Sequence, residues 1–554
     1  MNLRALAPVL LLMACAAPAQ ALAQGSAPPG AAAATPAKLQ SPTVRADALL
    51  AAYTASKPGL SVLVARGGRP VYERTSGMAD LEQGAPLTPA SRFNLASVSK
   101  QFTAFAILQL AKAGKVDLDA DIRTYLPELP DYGAKVTVSD LVHHTSGLRD
   151  DFELLFLSGI SIDGLIRQKA VVAMVANQKA LNFKPGTDWR YSNTNYILLA
   201  EIVARVSGMP FKQYMRTKVF DPLGMKDTFV FDNPSDLIPN RAASYFVDPA
   251  GVAHLIRLNY ASYGSSGVNS TARDLLKWSN ELLHPQVFDP ALVRSAEAPG
   301  RLSDGRPIRY AFGMARNAVG GHSALTHSGA DAAFRALIAS FPAEDASVVV
   351  LSSGAADVGR IADSLTEIFL GPGAPPPPAV APGADRVAAL AGYYVNDWGP
   401  GFDLRAEAGK LVMGQGPARR EAKFLKTGDF YFADPANSYH RRADGVLEEL
   451  NVLSGSVVTH RPAKRVTPQP ADLAAMTGVY RSDELDVTFR AAVLGAGLMF
   501  TSLRSDPMPV FPADSDHFEN PLVRIGILRD AAGHVSGLTV ATGRVRDLRF
   551  RKIG

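Results

Sequence analysis

Apolar runs near both ends of the first 370 residues predict β-strands. The segment "LSVLVARGGRPVYE", residues 60–73, contains two such runs on either side of a Gly-Gly pair, which is typical of a hairpin. The runs "AAFRALIASF" and "SVVVLSS", residues 332–341 and 347–353, are separated by the polar "PAED" segment. They predict a second antiparallel pair of strands.

Between these strands the apolar residues recur with a helical period, and glycine or capping residues mark the ends of the runs. Thr137 and Asp140 have the spacing of a capping box. Helices are predicted over 43–56, 97–113, 194–207 and 355–369, and another from "STARDLLKW" at 270–278. Strands first and last around a helical middle predict an α+β fold, with an antiparallel sheet flanked by helices and an all-helical region.

A proline-rich linker, residues 371–384, precedes a repeated pattern. "VAALAGYY" at 387–394 matches "LAAMTGVY" at 473–480. Both copies continue with short alternating segments and turn residues, which predicts two related small all-β domains of barrel type over 385–465 and 470–554. A chance similarity of two alanine-rich segments is the alternative interpretation.

Length and charge limit the possible classes of protein. With 554 residues, 47% of them hydrophobic, the chain exceeds what one core usually holds. Residues 43–370 are predicted to form the first domain. The net charge of +5 is spread over the chain without a Lys/Arg run, which argues against nucleic acid as a partner.

The N-terminus has the pattern of an export signal. Arg4 precedes an apolar stretch, and small residues at 21–23 offer a cleavage site. We therefore expect a signal peptide over 1–23, a disordered leader over 24–42, and a periplasmic or secreted protein. The single cysteine, Cys15, lies inside the signal, and "LMAC" around it loosely resembles a lipoprotein box, so a lipid anchor at Cys15 remains open. No later stretch has the length of a transmembrane segment.

Ser97 and Lys100 are the first candidate catalytic pair. They stand three residues apart at the start of an almost wholly apolar predicted helix, "FNLASVSKQFTAFAIL", so their side chains share one helix face. Burial lowers the pKa of a lysine, and a neutral amine can take the proton of a serine hydroxyl. The alternative is an N-capping serine beside a lysine that extends to solvent.

Two further motifs add polar groups to this pair. In "WRYSNTNY", residues 189–196, Tyr191 could relay a proton and Asn193 could bind a substrate amide. In "THSGADAAF", residues 326–334, Ser328 and Gly329 would let a ligand backbone approach a strand. His327 could donate to a substrate or titrate near pH 6.5. Each motif alone also fits a purely structural role.

Together, S-x-x-K, Y-x-N and H-x-G in this order resemble the signature of the penicillin-recognising serine enzymes. These are class C β-lactamases, D-Ala-D-Ala carboxypeptidases, D-aminopeptidases and related esterases. The segments "LVHHTSGL" and "GSSGVNSTARDLLKW" resemble the family as well. The resemblance covers residues 43–370. It implies a sheet-and-helix sandwich with the active site between the sheet and the helical region.

The resemblance also implies a role for each motif residue. Ser97 would be the acylated nucleophile, Lys100 the base for acylation, and Tyr191 the proton shuttle that also helps to activate the deacylating water. The substrate would be bound by Asn193, His327, Ser328 and Gly329, and the oxyanion by the N–H groups of Ser97 and Ala330.

The third motif departs from the Lys-Thr-Gly of most β-lactamases of this type, because His327 replaces a permanent cation. Efficient hydrolysis of carboxylate-bearing β-lactams is therefore not expected. The histidine and the two β-domains resemble D-aminopeptidases, so the first hypothesis is a serine peptidase or amidohydrolase acting on short peptides with D-residues. A carboxylesterase, a weak β-lactamase and a non-catalytic protein that binds cell-wall fragments are the alternatives.

Other chemistries lack their motifs. The ten histidines show no zinc-binding spacing, and no G-x-S-x-G is present. We expect no metal and no cofactor, and a small molecule or short peptide as substrate. The leaving group and the oligomeric state are not fixed by the sequence.

Overall fold

The computed structural model describes residues 40–161, 164–257, 259–451 and 455–554. The predicted signal peptide, Cys15 and all but the last residues of the predicted leader lie outside this part of the chain. Among the described residues, no helix has the length and apolar character needed to cross a membrane.

A six-stranded antiparallel sheet, called here the main sheet, forms the centre of the first 370 residues. Its strands, in spatial order, are Ala315–Val319, His322–Asp331, Phe334–Phe341, Ala346–Ser352, Leu60–Arg66 and Arg69–Ser76. Leu60 pairs with Ser352 and Arg66 with Ala346, so strands from both ends of the region lie side by side. Both predicted hairpins are confirmed.

Helices cover both faces of the main sheet because its central strands are apolar on both sides. Val62 and Val64 pack with the helices Pro42–Leu50 and Val358–Leu370 in one core. Leu63 and Ala65 pack on the other face. The helices of that second core include Ser99–Lys112, Asn193–Ser207 and Ala272–Leu283. This sandwich confirms the predicted fold class.

The predicted helix over 43–56 ends earlier, at Leu50, because turns closed by the Tyr53 and Lys57 N–H groups lead into the first strand. The capping box of Thr137 and Asp140 is present, with reciprocal bonds of 3.0 and 2.9 Å. It opens the helix Val138–His143.

The helical middle is not wholly helical. Its further helices are Asp151–Leu157, Gln168–Ala176, Phe211–Met215 and Pro290–Ser295, with a π-helical turn at Arg216–Phe220 and a 3₁₀ turn at Ile122–Thr124. Short strands lie between and beside them: Phe93–Asn94 with Val268–Ser270 and Phe229–Val230, Ile166–Arg167 with Tyr260–Ala261, Ser244–Val247 with Ala253–Ile256, and Met78–Asp80 with Ala85–Pro86.

The first β-domain is a nine-stranded antiparallel sheet that nearly closes on itself. Its strands, in spatial order, are Arg420–Glu421, Lys410–Met413, Phe402–Glu407, Gly392–Val395, Val457–Ala463, Leu447–Asn451, Asn437–Arg441, Phe430–Tyr431 and Lys423–Phe424. The two edge strands are neighbours in sequence. A 3₁₀ turn spans Gly416–Ala418.

The second β-domain, called here the barrel, is a closed eight-stranded sheet. Its strands are Gly478–Ser482, Val487–Leu494, Gly497–Thr501, Met508–Pro512, His517–Glu519, Arg524–Arg529, Val535–Ala541 and Leu548–Lys552. An apolar core that includes Tyr480, Phe500 and Phe550 fills it.

The two β-domains begin with the same local structure, as the repeat predicts. Short helices, Ala384–Leu390 and Pro470–Ala475, precede the first strand of each domain. The Tyr394 hydroxyl donates to the Leu390 carbonyl at 3.1 Å, and the Tyr480 hydroxyl donates to the Met476 carbonyl at 2.7 Å. The matched tyrosines therefore tie helix to strand in the same way.

Candidate active site

Ser97 lies in a 3₁₀ turn, Ala96–Val98, that immediately precedes the helix Ser99–Lys112. The sequence predicted a continuous helix from Ser97. The turn differs because Ala96 has a left-handed backbone, φ 48°, which costs free energy for a residue other than glycine. The Asn94 side chain accepts the Ala96 N–H at 2.6 Å and holds this conformation. Strain of this kind is common at functional sites.

Lys100 is fully buried and directed at Ser97. Its Nζ donates to Ser97 Oγ at 3.1 Å, to Asn193 Oδ1 at 2.8 Å and to the Ser265 carbonyl at 2.8 Å. Burial lowers the pKa of Lys100 to about 7, with Asp150 opposing the decrease and Arg544 adding to it. A large fraction of this amine is therefore neutral at physiological pH, as the sequence predicts.

Tyr191 lies beside the same pair. Burial raises the pKa of Tyr191 well above the usual range, with an opposing contribution from Ser97, so it is a neutral phenol. Lys100 Nζ lies 4.8 Å from the centre of its ring, within the distance of a cation–π contact. The His144 ring packs against the Tyr191 ring at 4.4 Å between centroids.

Asn193 is the first residue of the helix Asn193–Ser207. Its Oδ1 accepts from Lys100, which leaves the NH₂ group as the donor for a ligand. Its backbone N–H donates to the buried Asp150 carboxylate at 2.6 Å. The first two motifs are thus joined into one hydrogen-bonded unit.

The third motif forms a free sheet edge, called here the edge segment (residues 327–331). The outer strand Ala315–Val319 pairs only with residues 322–326 of the neighbouring strand. Among the residues that the structure describes, the edge segment therefore has a strand on one side only, where Ser328 and Ala330 pair with Leu337 and Arg335. The Ser328 side chain is exposed. A substrate backbone could add to this edge as a further strand.

Gly329 brings the edge segment close to the nucleophile. A Cβ at this position would overlap the Leu95 carbonyl oxygen and lie 3.0 Å from the Ser97 nitrogen. Any larger residue would force the strand away from Ser97. Ala330, the next residue, is the predicted second donor of the oxyanion hole.

His327 is arranged differently from either expectation for it. Desolvation and the charge of Lys100 lower its pKa to about 3, so the possibility of titration near pH 6.5 is wrong. As a neutral ring its Nδ1–H donates to the Ser328 carbonyl at 2.6 Å, and its Nε2 accepts the Tyr310 hydroxyl at 3.1 Å. Both nitrogens are therefore engaged, and the ring has no N–H left to donate to a substrate in this arrangement.

The sequence of this chain matches a known family over the region that builds this site. Residues 46–370, more than half of the chain, match the family described as Beta-lactamase. The chain belongs to the Beta-lactamase family. It is a serine hydrolase with the β-lactamase/transpeptidase-like fold.

Two relatives and one solved structure show how far the similarity extends. The chain is 26% identical over 517 residues to a D-aminopeptidase of Brucella melitensis biotype 2, covering 90% of this chain and 96% of that protein. It is 32% identical over 282 residues to penicillin-binding protein 4* of Bacillus subtilis (strain 168), covering 49% of this chain and 62% of that protein, less than two thirds of its length. The crystal structure of D-amino acid amidase from Ochrobactrum anthropi SV3 has the same fold, with a TM-score of 0.52 and 23% identity, and the match covers 59% of this chain and 98% of that one.

The active site also contains groups that the three sequence motifs did not indicate. His144, Asp150, Ser265 and Tyr310 contact the motif residues directly. His144 lies in "LVHHTSGL" and Ser265 in "GSSGVNSTARDLLKW", so the two supporting segments carried that signal. No sequence signal indicated Arg544, whose guanidinium carbon lies 5.0 Å from the centre of the Tyr191 ring.

Arg544 belongs to the barrel loop, residues 542–547, which joins the last two strands of the barrel and docks on the catalytic domain. The fully buried Arg149 donates to Glu484 at 2.7 Å and to the carbonyls of Arg546 and Asp547 at 3.2 Å. The barrel thereby forms part of the wall of the active site.

Proposed function

We propose that this serine hydrolase cleaves amide bonds of short substrates with D-residues through an acyl-enzyme on Ser97. The observation that carries the proposal is the buried Lys100 amine, 3.1 Å from Ser97 Oγ, with a pKa lowered to about 7. A base whose pKa is close to the working pH gives the best combination of protonation state and proton affinity.

In the acylation step, neutral Lys100 takes the proton of the Ser97 hydroxyl as Oγ attacks the substrate carbonyl. The N–H groups of Ser97 and Ala330 are proposed to bind the negative oxygen of the tetrahedral intermediate, and one such donor contributes about 3 kcal/mol in related chemistry. Tyr191, a neutral phenol, passes a proton to the leaving amine. Lys100 replaces the proton of Tyr191, so the step ends with a neutral lysine, a released amine and an ester on Ser97.

In the deacylation step a water molecule attacks the ester carbonyl. Its proton passes through Tyr191 and Lys100 to Ser97 Oγ as the acid product leaves. The hydrogen bond of Lys100 to Ser97 Oγ, and the position of Tyr191 beside the same pair, support this transfer. Apart from the substrate and this water molecule, no further reactant is needed to balance the two steps.

The choice of an amide substrate with D-residues is supported by the D-aminopeptidase relative, whose match covers 90% of this chain and so extends beyond the catalytic domain. The neutral His327 in place of a cation argues against good β-lactam hydrolysis. Acyl-enzyme chemistry also accepts esters, so ester hydrolysis is the outcome that competes with the proposal.

We also propose that the protein is exported, to the periplasm or the medium, with the signal-like composition of residues 1–23 as the support. Cell fractionation of the full chain tests this location. Growth with a labelled fatty acid tests whether Cys15 receives a lipid: label lost in Cys15→Ser would establish the anchor.

The function is tested by hydrolysis of D-alanine p-nitroanilide beside p-nitrophenyl butyrate, with the wild type and Ser97→Ala. Amide cleavage that disappears in Ser97→Ala is the expected result. Ester cleavage alone, also lost in the mutant, would keep Ser97 as nucleophile but exclude this amide specificity. The L-alanine anilide is the matched control for stereochemistry.

A further inference from the structure

The guanidinium of Arg544 lies at the active site although it belongs to the barrel. It lies over the Tyr191 ring, and its side chain is 14% exposed. It therefore lies beside the catalytic residues and keeps part of its surface exposed. A cation at this place is unexpected in a pocket that already holds Lys100, and it requires a physical explanation.

The barrel loop holds Arg544 in one place. Its backbone N–H donates to the Glu153 carboxylate at 2.7 Å, and its carbonyl accepts from Asn182 at 2.7 Å. Gly543 before it has φ 98°, and Val545 after it is fully buried in the barrel core. Because the backbone is fixed on both sides, ordering the loop adds little to the free-energy cost of binding a ligand.

The guanidinium is only partly used by the protein. Its Nη1 lies 3.5 Å from the Asp150 carboxylate, which is long for a charge-assisted hydrogen bond. Asp150 already accepts closer bonds from the N–H groups of Asn193 and Phe152, at 2.6 and 3.1 Å. Within the described residues, Arg544 Nε and Nη2 donate to no acceptor. These two nitrogens form the edge that binds a carboxylate in bidentate geometry.

Resting on the proposed function, we propose that Arg544 binds a carboxylate on the acyl part of the substrate. Asn193, the expected ligand of the acyl amide, is linked to Arg544 through Asp150, so the two groups lie at the same end of the cleft. The favoured substrate would then be an anionic D-amino acyl amide, such as a D-glutamyl derivative. An acyl part without a carboxylate, such as that of D-alanine p-nitroanilide, would still reach Ser97 but would lack this contact and bind less tightly.

Acidic groups around Arg544 compete with it in setting the charge of the ligand that the site binds. Asp150, Asp151 and Glu153 lie on the catalytic-domain side of Arg544 and contribute to its electrostatic surroundings. Asp331 lies at the end of the edge segment, where Ser266 donates to it at 2.6 Å. If these carboxylates dominate, the pocket selects an ammonium instead of a carboxylate.

The test is calorimetric binding to full-length Ser97→Ala, so that it does not depend on turnover. The ligands are N-acetyl-D-glutamic acid α-amide and N-acetyl-D-glutamine α-amide, which differ only in charge, and both are repeated in the L configuration. We expect the glutamic acid ligand to bind about tenfold to 100-fold more tightly, the range of a hydrogen bond to a charged group.

Arg544→Gln in the Ser97→Ala background should reduce that ratio to about one, and Arg544→Lys should keep part of it. Arg549→Gln, which removes an exposed cation from the same barrel, is the matched control and should leave the ratio unchanged. Equal binding, a preference for glutamine, no binding of either ligand at millimolar concentration, or a ratio that survives Arg544→Gln would each overturn the proposal. Hydrolysis by the wild type tests the proposed function separately.

Discussion

The two walls of the cleft differ in how firmly their polar groups are held. On the helical wall, Lys100 has three hydrogen-bond partners and no exposed surface. On the sheet wall, Ser328 is exposed and the edge segment has a strand on one side only. The groups proposed to move protons are thus fixed before the substrate arrives, whereas the backbone edge proposed to bind it stays open. This difference fits a general rule that preorganised groups contribute most to the transition state.

The strongest test of the helical wall is Lys100→Ala. We expect kcat/KM to fall at least about 10³-fold, because the proposed base and the tie to Asn193 are both lost. Lys112→Ala, at the exposed end of the same helix, is the matched control and should remain close to wild type. A Lys100→Ala enzyme within tenfold of the wild type would exclude the lysine as base.

Gly329→Ala tests the close contact of the sheet wall with the residues around Ser97. The added Cβ would overlap the Leu95 carbonyl, so the edge must move away from Ser97. We expect a loss of about 10²-fold in kcat, comparable to removal of an oxyanion donor. The control is Gly383→Ala, where the space is open, and both circular dichroism spectra should match the wild type. Normal kcat in Gly329→Ala would show that the close approach is not needed.

The pH dependence of kcat/KM should report the titration of Lys100, on the helical wall. Because Lys100 acts as a neutral base and its pKa is lowered to about 7, kcat/KM should rise about tenfold per pH unit below 7 and level off above it. Burial also raises the pKa values of Asp151 and Glu153 to about 7. The pH profile of kcat/KM is therefore measured again for Asp151→Asn and Glu153→Gln. Both variants should keep the inflection that is assigned to Lys100. A profile that falls with increasing pH would contradict the assignment.

His327→Asn should have the smallest effect. The ring is neutral, with a pKa lowered to about 3, and both nitrogens bond within the protein. We expect a change of about fivefold or less, which corresponds to one neutral hydrogen bond. Tyr310→Phe, which removes the partner hydroxyl, should have a similarly small effect. A 100-fold loss in either variant would show that the His327 side chain takes part in the chemistry.

The sequence predicted what depends on local pattern. The apolar runs on either side of turn segments predicted the hairpins at Leu60–Ser76 and Phe334–Ser352, and S-x-x-K predicted a serine within reach of a buried lysine. The left-handed backbone of Ala96 was not predicted, because it depends on the Asn94 side chain and on neighbouring strands. Arg544 was not predictable either, because its position depends on how a distant domain docks.

The hydrogen bonds made by both ring nitrogens of His327 could not be predicted from the sequence either. The residue type suggested a side chain that donates to a substrate or titrates near neutral pH. Its hydrogen bonds depend on Tyr310, however, and its pKa depends on burial and on the charge of Lys100. These groups come from separate elements, and only tertiary packing brings them together. Residue identity predicts which chemistry is available, whereas the neighbours decide which protonation state carries it out.

The pairing of Leu60–Arg66 with Ala346–Ser352 has a consequence for how the chain folds. The Gly59 N–H donates to Ser353 Oγ across a sequence separation of 294 residues. Contacts between residues so far apart in the sequence slow folding, because a long loop must close before they contribute any stability. The main sheet cannot be completed until the ribosome has synthesised Ser352, and a nascent chain that is shorter than this exposes the apolar edge of Leu60–Arg66. Folding of the hydrolase domain is therefore delayed until most of the polypeptide exists.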